Sequence, residues 1–293
     1  MPVHDDLGCR MKGFYENIPK TKLMRRTPVM LRLDGKAFHT FTRGFQRPFD
    51  EILVKSMQDT MKYLCENIQG CVLGYTQSDE ITLVLVDYKK LNSAAWFDYE
   101  VQKMCSIGAS MATMAFNKAF EKNKEIFYKN NTVLKEYDYC AAIEFNTNNN
   151  EKLYFTYCKA AEKGAMFDCR CFNVPKEEVT NFVYWRQIDA TRNSIQMVGQ
   201  AHFSHDELHK KNQNDIQDML MLQKGINWND FPTHLKRGSC CIKETYYPDS
   251  VLGCEDCPVD ATTVRTRWSV DKEIPIFKGE GREYIDKLVF VGE

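Results

Sequence analysis

Two acidic residues sit where acids rarely serve a core. Asp34 ends the apolar run Val29-Met30-Leu31-Arg32-Leu33, with Gly35 next. Asp79 lies in Gly74-Tyr75-Thr76-Gln77-Ser78-Asp79-Glu80, between the apolar runs Cys71-Val72-Leu73 and Ile81-Thr82-Leu83-Val84-Leu85-Val86. Carboxylates at the ends of neighbouring strands can hold hard divalent cations, which take oxygen ligands and bridge nucleotide phosphates. In this reading Asp34 and Asp79 are the metal carboxylates, and the approachable backbone of Gly35 adds a carbonyl oxygen. The turn amides of Lys36, Ala37, Phe38 and His39 form a nest for a triphosphate. Ser78 donates to a phosphate, and Arg47 and Lys103 reach the same charges. A turn at Asp34-Gly35 and a solvated hairpin tip at Asp79-Glu80 is the plainer alternative, since Asp-Gly is a common turn dipeptide.

The elements that would position these residues follow from periodicity. A first strand is expected from Pro28 to Leu33. Asp50 caps a helix whose apolar face is Leu53, Met57, Met61, Leu64 and Ile68. Residues 71–86 read as a hairpin. A second long helix is expected from Ala94 to Phe120, with small residues on its buried stripe, and residues 121–136 as a solvated connection. Strands are expected at Tyr139–Phe145, near Lys152–Cys158, and at Phe167–Phe172. Pro175, Glu177 and Glu178 open another helix running to about Gln200. Ser204 and Glu207 have capping-box spacing. After Gly225 the tail turns to short strand candidates, Ser239–Glu244 and Thr263–Val270, and ends in the apolar run Ile285–Val291.

This order predicts an α+β fold: a palm-like, split βαβ (ferredoxin-like) antiparallel sheet with helices packed on one face, plus a smaller C-terminal annex. The expected divisions are a catalytic core over 1–140, its RNA-binding continuation over 141–240, and the annex over 241–293.

The chain has 293 residues, 43% hydrophobic and 27% charged, with net charge -1. That balance suits a sizeable core, and any nucleic-acid partner must be met by local basic patches. No apolar run has the length of a membrane span. The acidic start lacks a signal-peptide core, so a cytoplasmic location is expected, and the 12 cysteines read as reduced thiols. A zinc site at Cys254 and Cys257, near Cys240-Cys241, is the lesser alternative to free thiols. His202, His205 and His209 read as surface or capping residues.

The wording of the two acidic segments adds a family. Arg32-Leu33-Asp34-Gly35-Lys36-Ala37-Phe38-His39-Thr40-Phe41-Thr42 and Gly74-Tyr75-Thr76-Gln77-Ser78-Asp79-Glu80 resemble the tRNA-histidine guanylyltransferase family. Further matches follow in order: Arg47-Pro48-Phe49-Asp50, Phe167-Asp168-Cys169-Arg170, Tyr184-Trp185-Arg186-Gln187, Gly225-Ile226-Asn227-Trp228-Asn229 and Arg237-Gly238. The resemblance covers about residues 28–240. It implies a palm-like nucleotidyltransferase that extends tRNA at its 5′ end, in the 3′–5′ direction, using ATP and GTP as substrates and two or more Mg2+ ions. It also implies a homotetramer. Carried over, Asp34 and Asp79 are the catalytic metal carboxylates and Gly35 the carbonyl ligand. Lys36, Ala37, Phe38, His39 and Ser78 bind nucleotide, and Arg47, Asp50 and Lys103 handle the triphosphate or the activation step. Arg170, Arg186, Arg192, Asn193, Asn227, Lys236 and Arg237 are candidate RNA contacts.

The family's eukaryotic members carry a His-Ile-Asn-Asn motif after Trp-Arg-Gln. Here the run is Asp189-Ala190-Thr191-Arg192-Asn193-Ser194. This chain therefore looks more like the bacterial and phage-type branch, which favours repair of 5′-truncated tRNAs. A nucleotide cyclase using the same two acids, and a catalytically silent nucleotide- or RNA-binding protein, are the rival readings.

Overall fold

The computed structural model describes residues 5–137, 140–246 and 265–292. α1 (Asp6–Met11) continues as a π-helical turn over Lys12–Glu16. Then come β1 (Val29–Gly35), α2 (Phe38–Phe41), α3 (Glu51–Asn67), β2 (Cys71–Gln77), β3 (Glu80–Leu85) and α4 (Val101–Asn131). They are followed by β4 (Thr132–Tyr137), β5 (Cys140–Phe145), α5 (Asn148–Lys163), β6 (Phe167–Asn173) and α6 (Lys176–His202). α7 (His205–Leu208), α8 (Gln213–Lys224), α9 (Thr233–Arg237), β7 (Ser239–Tyr246), β8 (Arg265–Asp271) and α10 (Glu283–Val289) complete the described chain.

Six strands make one sheet in the order β6-β1-β3-β2-β7-β8, every pair antiparallel. Its first four strands, with α3 and α4 as crossovers, are the expected split βαβ unit. The tail extends that same sheet through β7 and β8.

β1, β2 and β3 read as almost continuous apolar runs because both faces of the sheet are covered. On one face Val29, Leu31, Leu33, Leu83 and Leu85 pack with Met57, Met61 and Leu64 of α3 and Met104, Ala112 and Phe116 of α4. On the other, Met30, Leu73, Tyr75 and Val84 pack with Val179 and Val183 of α6 and Ile285 and Val289 of α10. The expectation of helices on one face thus holds only for α3 and α4. Gly108 lets α4 lie close on the sheet: a Cβ there would meet Cys169 Sγ at 3.1 Å.

Four expected elements differ. The strand beside β1 is β6 rather than the expected Tyr139–Phe145, of which the described part, Cys140–Phe145, pairs with β4 in a separate two-stranded ladder. Lys152–Cys158 lies in α5, because Thr147 caps a helix by accepting from the Asn150 amide and Tyr157 and Ala160 bury at helical spacing. α4 starts late because Phe97, Asp98 and Tyr99 have left-handed backbone just before it. It then runs on through the supposed connection at 121–131. Most of Ile285–Val291 is helix α10. Cys254 and Cys257 lie outside the described residues, while Cys240 and Cys241 are buried free thiols in β7.

Candidate active site

β1 and the β2–β3 hairpin end at the same edge of the sheet. Asp34 pairs in register with Glu80 of β3 and with Asp168 of β6. Ser78 and Asp79 form the hairpin turn between the paired residues Gln77 and Glu80. The Gly35 amide donates to the Asp79 carbonyl oxygen at 3.0 Å, which ties the two acidic segments together. The Asp34 and Asp79 segments therefore meet at one end of the sheet.

The backbone here is strained. Ser78 has φ +49° and Ala37 φ +54°, left-handed conformations that non-glycine residues seldom adopt and that gather at functional sites. Gly35 cannot be replaced freely either. A Cβ at Gly35 would lie 2.3 Å from Cδ2 of Phe38. The Phe38 ring is buried under that turn, with centroids 5.2 Å from Phe41, 5.4 Å from Phe116 and 5.3 Å from Phe167. It anchors the loop, so Phe38 offers a ligand mainly its backbone. The Lys36 amide donates to the Met166 carbonyl at 2.8 Å. The amides after it open α2, which has no side-chain cap.

These segments surround a cleft of about 630 Å3 lined by Gly35, Ala37, Phe38, His39, Arg47, Asp50, Ser78 and Asp79, a size suited to a small-molecule ligand. Arg43 on the α2–α3 loop and Met197 and Gln200 of α6 also line it. The sequence reading missed these three, which carry no motif and are brought in only by tertiary packing. Lys36, Arg43 and Arg47 form no ion pair among the described residues. Their charge is open to an anionic ligand.

Asp50 is buried in that wall. It caps α3 by accepting from the Leu53 amide at 2.9 Å, and it also accepts from the Gln46 amide at 3.0 Å and the Tyr157 hydroxyl at 2.7 Å. Burial pushes its carboxyl above the usual value, and those donors draw it back. Behind Asp50, Leu53, Ser78 and Met197 lies a smaller chamber of about 80 Å3, walled also by Asn193 and His234.

Burial likewise pushes the Asp79 carboxyl up, and the negative charges of Asp34 and Glu80 add to it; the Ser78 hydroxyl, donating to Oδ1 at 3.0 Å, opposes them. A convergence of like charges is relieved by a bound cation. Among the described residues no set of three or more His, Cys, Asp or Glu side chains is arranged to hold a metal. Two carboxylates and a carbonyl fit Mg2+ all the same, because Mg2+ is held by one or two carboxylates with substrate phosphates and water as its other ligands.

Glu80 has a different setting from Asp79. It is buried and accepts from Arg186 Nε at 2.7 Å and from an Arg32 Nη at 2.8 Å. Arg186 also donates to Asp189 at 2.7 Å. Glu80 is a charge held inside the protein that fixes the hairpin to β1 and α6. The sequence motif names Asp79 and leaves the role of Glu80 open.

The remaining candidates separate by placement. Lys103 is not brought to the cleft. It lies over the Phe97 ring at 5.1 Å, at the far end of α4, roughly 20 Å along the helix from Phe116 by its rise per residue. Arg186 is occupied by Glu80, and Lys236 by the Asn229 carbonyl at 2.5 Å and the Trp228 ring. Asn227 caps its own turn and bonds Asp230. Arg186 and Lys236 are thus buried in internal contacts, whereas Asn227 is exposed. Arg170, Arg192 and Asn193 are exposed and Arg237 partly so.

A family profile described as tRNAHis guanylyltransferase (Thg1) matches residues 9–175. The chain belongs to this family. Among its relatives, protein R259 of Acanthamoeba polyphaga mimivirus is 27% identical, covering 85% of this chain and 81% of that protein. The tRNA(His) guanylyltransferase of Saccharomyces cerevisiae is 24% identical, covering 74% and 82%. A bacterial Thg1-like protein solved in complex with ATP is 39% identical, with TM-score 0.75, covering 98% of this chain and 100% of that one. The bacterial structure with GTP gives 37% and 0.72. The chain is thus a nucleotidyltransferase of the tRNA(His) guanylyltransferase family with the palm-like fold of the bacterial members. Among the described residues no helix is long and apolar enough to cross a membrane.

Proposed function

We propose that this protein adds nucleotides to the 5′ end of tRNA in the 3′–5′ direction, as tRNA(His) guanylylation or repair of truncated 5′ ends. The observation that carries the reading is the meeting of the Asp34 and Asp79 segments through the Gly35–Asp79 backbone bond, beside a cleft lined by Arg43 and Arg47, which form no ion pair among the described residues. The bacterial relative's complexes with ATP and with GTP support placing a nucleoside triphosphate there.

In this reading Asp34, Asp79 and the Gly35 carbonyl hold Mg2+. When bound, the ions neutralise phosphate charge and activate the attacking hydroxyl. Lys36, Arg43, Arg47 and the α2 amides hold the triphosphate, and Ser78 adds a hydroxyl contact. The RNA 5′-monophosphate first attacks the α-phosphate of ATP, releasing pyrophosphate and leaving an adenylylated end. The 3′-hydroxyl of GTP then attacks the RNA 5′-phosphate, and AMP leaves. The buried Arg32–Glu80–Arg186 cluster holds the hairpin still while these groups exchange.

A chain of net charge -1 meets RNA best with basic surface gathered from several subunits. The proposal accordingly includes a homotetramer working in the cytoplasm. Incubation of 5′-truncated tRNA with ATP, labelled GTP and Mg2+ tests the function. Lengthened RNA supports it. Cyclic nucleotide would make the protein a cyclase, and RNA binding without turnover a silent binder.

A further inference from the structure

α6 buries one stripe and opens another. Val179, Val183, Arg186, Ala190, Ser194 and Val198 face the interior. Trp185 lies outside that stripe and is 50% exposed, and Arg192, seven residues on, is exposed with it. Positions seven apart share a helix face.

The Trp185 indole is held in place. The Arg186 guanidinium sits over the ring at 4.4 Å, the edge of Phe182 meets it at 5.6 Å, and the Arg32 guanidinium is at 6.0 Å. Arg32 ties this spot to the active site. It shares a face of β1 with Asp34, two residues away, which is about 7 Å along a strand. Across the ladder Arg170 pairs with Arg32 and Asp168 with Asp34, and the Arg170 side chain is 59% exposed. A half-open indole therefore stands over Arg32 near the Asp34 end of β1, with exposed Arg170, which also meets Asp168 at 3.5 Å, on β6 and exposed Arg192 further along α6.

An aromatic plane flanked by guanidinium groups is how proteins hold unpaired or terminal bases of RNA: the ring stacks on the base and the cations take the phosphates. Resting on the RNA reading above, we propose that Trp185 is the stacking platform for the terminal nucleobase of the RNA substrate, with Arg170 and Arg192 holding adjacent phosphates. A base seated on the indole brings its 5′-phosphate toward Asp34 and leaves the cleft at Arg47 free for the nucleotide. Stacking does not read base identity, so this contact serves RNAs of any terminal sequence.

The test uses the full chain and a short 5′-phosphorylated RNA hairpin with 2-aminopurine as its terminal base. Wild-type protein should quench the probe on binding. Trp185→Leu keeps an apolar cover over Arg186 but has no ring. It should lose the quench and bind the RNA roughly ten- to hundredfold more weakly, the scale of a lost base–aromatic stack. It should stay folded, with a thermal midpoint lowered only by the lost ring contacts, and its GTP affinity should match wild type, while Trp185→Phe should recover much of the RNA affinity. Trp185→Leu binding RNA as tightly as wild type, or wild-type protein binding RNA without quenching, overturns the proposal while leaving the RNA reading intact. Wild-type protein that binds no RNA overturns both.

Discussion

Arg186→Met probes the charge cluster beneath the catalytic hairpin. Glu80 is 4% exposed and Arg186 6%, and their 2.7 Å contact is one of two strong ones Glu80 makes. Removing one partner of a buried ion pair costs about 3–5 kcal/mol, because the other charge stays buried without it. Here Arg32 remains on the second carboxylate oxygen at 2.8 Å, and its side chain is 23% exposed. The loss should fall at the low end, about 3 kcal/mol. Glu80→Gln alone should cost less, since Arg186 keeps Asp189. The double variant should be more stable than the sum of the two losses predicts, because both charges of the pair are then gone. Urea unfolding of the four proteins measures this. A loss below about 1 kcal/mol for Arg186→Met, or strict additivity in the double variant, would refute the buried-clamp reasoning. Nucleotide transfer by Arg186→Met should also fall under conditions where the protein is fully folded, since the clamp fixes the strand that follows Asp79.

Three further outcomes are expected. Gly35→Ala forces the Phe38 ring aside and should cost about 1–3 kcal/mol in unfolding experiments, with weaker GTP binding by calorimetry. Tyr157→Phe removes the hydroxyl that donates to buried Asp50, which should cost about 1–3 kcal/mol and lower nucleotide affinity. Burial, and then Lys272, hold the His234 imidazole below its usual 6.5, and its buried Nδ1 has no hydrogen-bond partner. The unfolded chain then takes up a proton first as pH falls, so stability should decline from about pH 6.5 down to the lower folded-state value. His234→Gln should flatten that decline in thermal unfolding followed between pH 7 and about pH 5.

The strands carrying Asp34 and Asp79 were legible because local signals agreed there. Apolar runs, a glycine and a polar tip all point to strand ends, and Asp50 caps its helix as its position implies. The closing strand was misplaced because β6 follows a 35-residue insertion, and residues 139–145 look equally like a strand. Cys140–Phe145 is one, but in another ladder. Lys152–Cys158 reads as a strand because Tyr154, Phe155, Thr156 and Tyr157 favour β structure, and tertiary burial of Tyr157 in α5 overrides that preference. Lys103 went astray because its placement depends on where α4 starts, which the left-handed turn at 97–99 decides. The partners of Glu80 come from β1 and from α6, 48 and 106 residues away in sequence, a separation no local pattern reveals.

Nucleotide incorporation by Asp79→Asn tests the central claim most directly. The substitution keeps the size of the side chain and the Ser78 contact, but removes the charge that pairs with Asp34 at the site. With 5′-truncated tRNA, ATP, labelled GTP and saturating Mg2+, wild-type protein should lengthen the RNA at its 5′ end. Asp79→Asn should be folded, with the wild-type circular dichroism spectrum, and incorporate less than about a hundredth as much label, the scale of losing one electrostatic contact to the reacting phosphates. Incorporation by Asp79→Asn at the wild-type rate would contradict the assignment of Asp34 and Asp79 as the pair that drives nucleotide transfer.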